Sequence, residues 1–342
     1  MFVRNSKFKA AVTGALAIAA FSLLGGAYTA AAPASATFAA PTHPLANRDV
    51  TPQVSGATSW RPTATPSAIA STPPSPSGTP APTTEAAAGV QPPAHVVIVL
   101  EAGVTPAKLA RNAPYIASLQ RHGANFPKAY AGAAASQPND LALFSGSTHG
   151  VTGDSCPHSF GGANLASELI AAGQTFVGYA ESMPSDGYRG CTHGRFTRTH
   201  TPWANFANVP ASSSRRWSRF PQGHFAKLPT VSIVVPNRCD DMGACPVAQG
   251  DAWLKTNLSR YATWAKTHNS LLIVAFDGAA PLVVYGGPVK PGTYRQKVDR
   301  YGILRTLTDM YSLPCLTKAC DAKSLTPAVQ TQPRQTSRKR QP

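Results

Sequence analysis

Apolar and polar positions in the middle of the chain follow two different periods. Continuous apolar runs of strand length stand at His95–Leu100, Thr175–Tyr179, Thr230–Val235 and Leu271–Phe276, with a shorter one at Leu282–Tyr285. Runs uninterrupted by polar residues predict strands buried on both faces, as in a parallel sheet. Between them the apolar spacing becomes helical. Thr105–His122 has Pro106 in its first turn and Gly123 past its end, Ala163–Ala172 is closed by Gly173, and Asp251–Thr267 and Asp299–Tyr311 complete the set. A short helix is predicted from Ser136, where Ser-Gln-Pro-Asn leads into an apolar stretch through Phe144. Strands alternating with helices predict an α/β domain with a mainly parallel sheet and helices on both faces. Residues 187–228 show no period and are rich in Arg, Pro, Ser and aromatics, which predicts a loop-rich cap over one edge.

The flanks are of a different kind. Residues 1–36 combine a basic start, an apolar run and Ala-Ser-Ala ending at Ala36, the pattern of a secretory signal peptide. Residues 37–93 are Ala, Pro, Thr and Ser with four charged side chains, which cannot bury enough apolar surface to offset the entropy of ordering and predict a disordered linker. Residues 326–342 are polar and basic and predict a disordered tail, leaving 94–325 as the folded domain. A secreted or cell-wall-associated protein follows, and the six cysteines suit that compartment. Cys239 with Cys245 and Cys315 with Cys320 are near enough in sequence to close small loops, which leaves Cys156 with Cys191, although fifteen pairings of six cysteines are open.

The formal charge is +16 over the whole chain, and residues 94–325 alone hold 22 basic and 13 acidic residues, a balance of +9. Such an excess favours anionic partners: phosphate esters, phospholipid head groups or an anionic cell-wall surface. No nucleic-acid-binding motif accompanies it.

Candidate chemistry gathers where strands end. Open α/β sheets bind ligands at the carboxyl ends of their strands. Glu101 ends the first run, Asn237 and Asp241 follow the Thr230 run, and Asp277 ends the Leu271 run. Ser136 stands at or beside a helix N-cap, where backbone N–H groups could receive a phosphate oxygen, or where it could serve only as a cap. Arg215, Arg216 and Arg219, interleaved with Trp217 and Phe220, read either as a solvated basic loop or as a clamp for an anion.

The segments S-Q-P-N-D-L-A-L-F-S-G-S-T-H-G-V-T, H-V-V-I-V-L-E, P-N-x-x-D-D-M and L-L-I-V-A-F-D, in that family's order, resemble the secreted phosphoesterases of acid-phosphatase and phospholipase C type, within the alkaline-phosphatase superfamily. The likeness runs from about Ala94 to Leu313. It implies an alkaline-phosphatase-like fold, Ser136 as nucleophile, Asn139 as a substrate-binding residue, His200 in phosphate binding or proton transfer, and a divalent metal ion held by Glu101, Asp277 and Ser136. It also exposes departures. The family has Asn, His and an acid where this chain has Ala102, Gly243 and Gly278, and its Asp-His-Tyr reads Asp299, Arg300, Tyr301. The resemblance therefore implies a phosphoric ester hydrolase, expected with the N-terminal pattern to be secreted and expected to be a monomer, and the alternative is a degenerate member that binds phosphate ligands or cell wall without turnover.

Overall fold

The computed structural model describes residues 90–329 and the pair 332–333. The signal-type segment 1–36, nearly all of the 37–93 linker and most of the tail lie outside the described residues. In chain order the main-sheet strands are β1 (His95–Glu101), β2 (Ala124–Phe126), β3 (Phe176–Ala180), β4 (Ser214–Arg216), β5 (Val231–Val235), β6 (Ser270–Phe276), β7 (Leu282–Gly286) and β8 (Gly292–Thr293). The helices are α1 (Pro106–Asn112), α2 (Pro114–His122), α3 (Ser136–Ser145), α4 (Leu165–Ala171), α5 (Val247–Ala265) and α6 (Arg300–Met310).

The eight strands lie in the order β8-β2-β7-β6-β1-β5-β3-β4. From β6 through β1, β5 and β3 to β4 every pairing is parallel, and the central register sets Val96 beside Val231 and Leu271. Only β7 runs against its neighbours β6 and β2. Each apolar run feeds two cores because successive side chains point to opposite faces. Val96, Ile98 and Leu100 pack with α3, α4 and α6 through Leu141, Phe144, Leu169 and Leu304. Val97 and Val99 pack with α1, α2 and α5 through Leu109, Ile116, Leu258 and Tyr261. The mainly parallel sheet with helices on both faces is the one the apolar runs predict.

Three details differ from the sequence reading. The helix predicted over 105–122 is two helices, because Pro114 disfavours helical backbone at the residue before it, and Ala113 sits at φ −127°, ψ 69°. The new N-terminus of α2 has no local cap. Instead Asp251 of α5 accepts the N–H groups of Tyr115 (3.0 Å) and Ile116 (2.9 Å). Second, β2, β4 and β8 are too short to carry a period and were not legible as strands; β4 extends the sheet edge from within the segment predicted to be loop alone. Third, the packed chain exceeds the boundaries 94 and 325. Leu325 and Ala328 are fully buried, the Lys290 N–H donates to the Ala328 carbonyl (2.9 Å), and Gln332–Pro333 pairs with Val90–Gln91. Average polarity hid the few apolar residues that dock there.

Disulfides join Cys156 to Cys191, Cys239 to Cys245 and Cys315 to Cys320, the pairing that sequence proximity favours. The cap is built rather than loose. The buried Arg198 guanidinium donates to Asn205 Oδ1 and to the carbonyls of Arg189, His158 and Ala204, while buried Trp203 donates to Ser214 Oγ (3.0 Å). The borrowed cap on α2 is directly testable: Asp251→Ala is expected to lower unfolding stability by about 2 kcal/mol, read from the urea midpoint.

Candidate functional site

The site forms around the first turn of α3. Ser136 is its first helical residue, half-buried, and Ala135 occupies the N-cap position, so the residue at the cap offers no side-chain bond. The hydroxyl is thereby left free of the capping role that was one of its two readings. Asn139 shapes the approach: its Oδ1 accepts the Ala133 N–H (2.8 Å) and its Nδ2 donates to the Ala133 and Ala135 carbonyls (2.9 and 2.8 Å). All of these bonds go to the loop ahead of the serine, so Asn139 positions that loop instead of offering a free amide to a substrate. The Gln137 N–H donates to Asp154 Oδ1 (2.8 Å), and the Ser155 N–H donates to Gln137 Oε1 (2.9 Å). With Cys156 bonded to Cys191, the cap is thus tied to the serine's turn.

One helical turn after Ser136 stands Asp140, on the same side of α3 because residues four apart are neighbours on a helix. Facing it is Arg300, the first residue of α6, only 3% exposed. Its Nη2 donates to Asp277 Oδ1 at 2.6 Å and lies 3.8 Å from Asp140 Oδ1. Arg300 Nε and Nη1, and both Asp140 oxygens, are buried without a hydrogen-bond partner. Burial, then the Asp277 charge, pushes the Asp140 carboxyl well above the carboxylate range, against the opposing pull of Arg300.

His200 reaches the same region from the cap, with Nδ1 3.5 Å from Asp241 Oδ2. Burial disfavours its charged form, but the bond and charge of Asp241, joined by Asp277 and Asp154, outweigh that and raise its pKa. Asp241 is itself fixed: Oδ1 accepts the Gly243 N–H (2.8 Å), and its carbonyl accepts the Ala102 N–H (2.8 Å).

Glu101 does not join this group. It pairs in register with Phe276, which packs in the α1, α2 and α5 core, so its side chain leaves the sheet on that face. Asp277 is one residue further along β6 and turns to the α6 side, where Arg300 holds it. Glu101 is buried with both oxygens unpartnered, and desolvation first, then Asp241, Asp251, Asp240 and Glu181, raises its pKa well above the ordinary value.

The residues present do not fit a divalent ion held by Glu101, Asp277 and Ser136. Two of the three supports lie on opposite faces of the sheet, and Asp277 is already engaged by a guanidinium. Among the described residues no three His, Cys, Asp or Glu side chains are grouped as metal ligands. The position that would carry an imidazole is closed as well: a Cβ on Gly243 would come within 2.8 Å of the Ala102 Cβ and 3.0 Å of Asp241 Oδ1.

The remaining candidates have structural employment. Asn237 organises its own turn, accepting from the Cys239 N–H and donating to Asp240. Arg216 and Arg219 both pair with Asp186, at 3.2 and 3.3 Å, and Trp217 stacks on Phe220. The sequence reading missed Asp140 and Arg300 as site residues. Signals for both existed: an acid inside an apolar helix, and a cation in a first turn, where the helix dipole disfavours it.

Ser136, the buried Arg300 guanidinium and the His200–Asp241 pair stand at the carboxyl ends of a mainly parallel sheet, and kinship makes the chain a hydrolase acting on phosphoric esters. The Phosphoesterase family model matches residues 109–280, and the chain belongs to that family. It is 46% identical over 245 residues to the phosphatidylinositol-3-phosphatase of Mycobacterium tuberculosis (strain ATCC 25618 / H37Rv), spanning 68% of this chain and 82% of that protein. Among solved structures it is similar to an alkaline phosphatase superfamily protein from Vibrio parahaemolyticus, with TM-score 0.49, 12% identity and coverage of 70% of this chain and 71% of that one. The phosphonate monoester hydrolase of Agrobacterium radiobacter gives TM-score 0.46 at 12% identity, covering 72% and 78%.

The His200–Asp241 pair predicts a pH dependence of definite sign. Because the folded-state pKa is raised, the pair stabilises the fold fully below the ordinary imidazole range of about 6.5 and loses that contribution as pH rises through the raised value. Asp241→Asn is expected to lower the His200 midpoint in an NMR titration and to flatten this decline in melting temperature.

Proposed function

We propose that the chain is a secreted phosphatase that cleaves phosphate esters through Ser136. The observation that carries this reading is the serine itself: the first residue of α3, its hydroxyl not used in capping, one turn from Asp140 and the Arg300–Asp277 pair. In the first step the Ser136 Oγ forms a bond to phosphorus as the bond from phosphorus to the ester oxygen breaks. The hydroxyl proton passes to the carboxylate form of Asp140, made more basic by burial. The imidazolium of His200, favoured by Asp241, gives a proton to the departing alcohol oxygen. Water then attacks the phosphoserine, giving a proton to the now neutral His200 as the bond from phosphorus to Oγ breaks, while Asp140 returns its proton to the Ser136 oxygen and inorganic phosphate leaves.

The substrate class follows from charge and kinship. The excess of basic over acidic residues favours an anionic ester, and the name of the mycobacterial relative makes a phosphoinositide head group the first to try. Secretion is supported by the N-terminal pattern and by three disulfides.

Ser136→Ala is expected to reduce p-nitrophenyl phosphate turnover by about 10⁴-fold or more, with the melting temperature unchanged. Undiminished turnover would remove the serine from the mechanism. For secretion, N-terminal sequencing of protein recovered from culture medium should begin at Thr37.

A further inference from the structure

We propose that Arg300 is the fixed cation that receives the phosphoryl oxygens, so that this hydrolase works without a divalent metal ion. The inference rests on the serine mechanism proposed above and adds to it the group that offsets the charge of the phosphate.

The placement of Arg300 is costly unless it has a use. A guanidinium in the first turn of α6 meets the positive end of the helix dipole, and at 3% exposure it has given up its water. Asp277 takes one N–H through Nη2. Nε and Nη1 carry three more N–H donors, all buried and unpartnered. Unmet donors on a charged group are more expensive than on a neutral one. A planar fork of free donors matches the oxygens of a phosphoryl group.

Its location points the same way. Asp140 lies 3.8 Å from Nη2 and projects from the helix that begins with Ser136, one turn earlier. The guanidinium therefore stands beside the nucleophile's turn, while Asp277 holds it from the sheet. Asp277 is on this view a positioning residue for a cation. Meanwhile a Cβ at position 243 would meet the Ala102 Cβ at 2.8 Å, so the backbone there is packed for glycine and not for the imidazole of the family pattern.

The test uses the full chain treated with EDTA and then supplied with Mg²⁺, Ca²⁺, Mn²⁺ or Zn²⁺, with p-nitrophenyl phosphate as substrate and inorganic phosphate as ligand. Wild-type turnover is expected to be unchanged by chelation or by any of the metals. Arg300→Gln is expected to lower kcat/KM by ~10²–10³-fold and to weaken competitive inhibition by phosphate, with Arg300→Lys recovering part of both. Turnover lost on chelation and restored by a divalent ion would overturn the role of Arg300 while leaving the serine mechanism intact. No turnover under any condition would instead sink the phosphatase reading, and phosphate binding followed by thermal shift would then decide the inference. Stabilisation lost in Arg300→Gln and partly kept in Arg300→Lys would support it, and stabilisation unchanged in folded variants would overturn it.

Discussion

A charge sealed inside the protein constrains everything around it, and here that charge is the guanidinium of Arg300. Taking an ion out of water costs several kcal/mol, returned only where geometry and partners are good. Asp277 at the end of β6 and Asp140 on α3 are the partners, so α6 can dock in one position only. That docking brings together three segments, near 140, 277 and 300, that no local preference would assemble. Removing one acid would leave an uncompensated buried cation, the kind of loss that costs about 3–5 kcal/mol.

The two-residue period of the strands decides which acids can cooperate. Glu101 and Asp277 leave neighbouring strands, but the register that pairs Glu101 with Phe276 turns Glu101 toward α5 and Asp277 toward α6. Asp241 bridges the two neighbourhoods. Its carbonyl holds Ala102 next to Glu101, while its carboxylate pairs with His200 on the serine's side. Acid chemistry at this edge is therefore split into a serine-side group with a cation and a Glu101 group without one, where burial first and then the neighbouring acids raise the Glu101 pKa.

The architecture was readable because the apolar runs are long: β1, β5 and β6 were each legible to within about one residue, and the helices between them fixed a parallel sheet. What escaped was short or non-local. Pro114 split a helix whose second half is capped by Asp251, more than a hundred residues away, and β2 and β8 hold too few residues for any period. At the site, Ser136, His200 and Asp277 were visible through motif resemblance. Arg300 stood at a position where the pattern has histidine, and only the fold shows that it reaches Asp277. The convergence expected of Glu101 with Asp277 failed for the reason that strand pairing supplies: Asp277 stands one residue past the register partner of Glu101, and successive side chains leave a strand on opposite faces.

The antiparallel return of β7 has a consequence for how the protein is made. Because β7 follows β6 after a short loop, no crossover helix intervenes, and the cation arrives from α6, downstream of every acid it must meet. As the polypeptide emerges from its N-terminus, Ser136, Asp140, His200, Asp241 and Asp277 all appear before Arg300. Until the last stretch is delivered, Asp140 and Asp277 lack their guanidinium, and a chain terminated ahead of Asp299 would possess the nucleophile yet lack its electrostatic keystone.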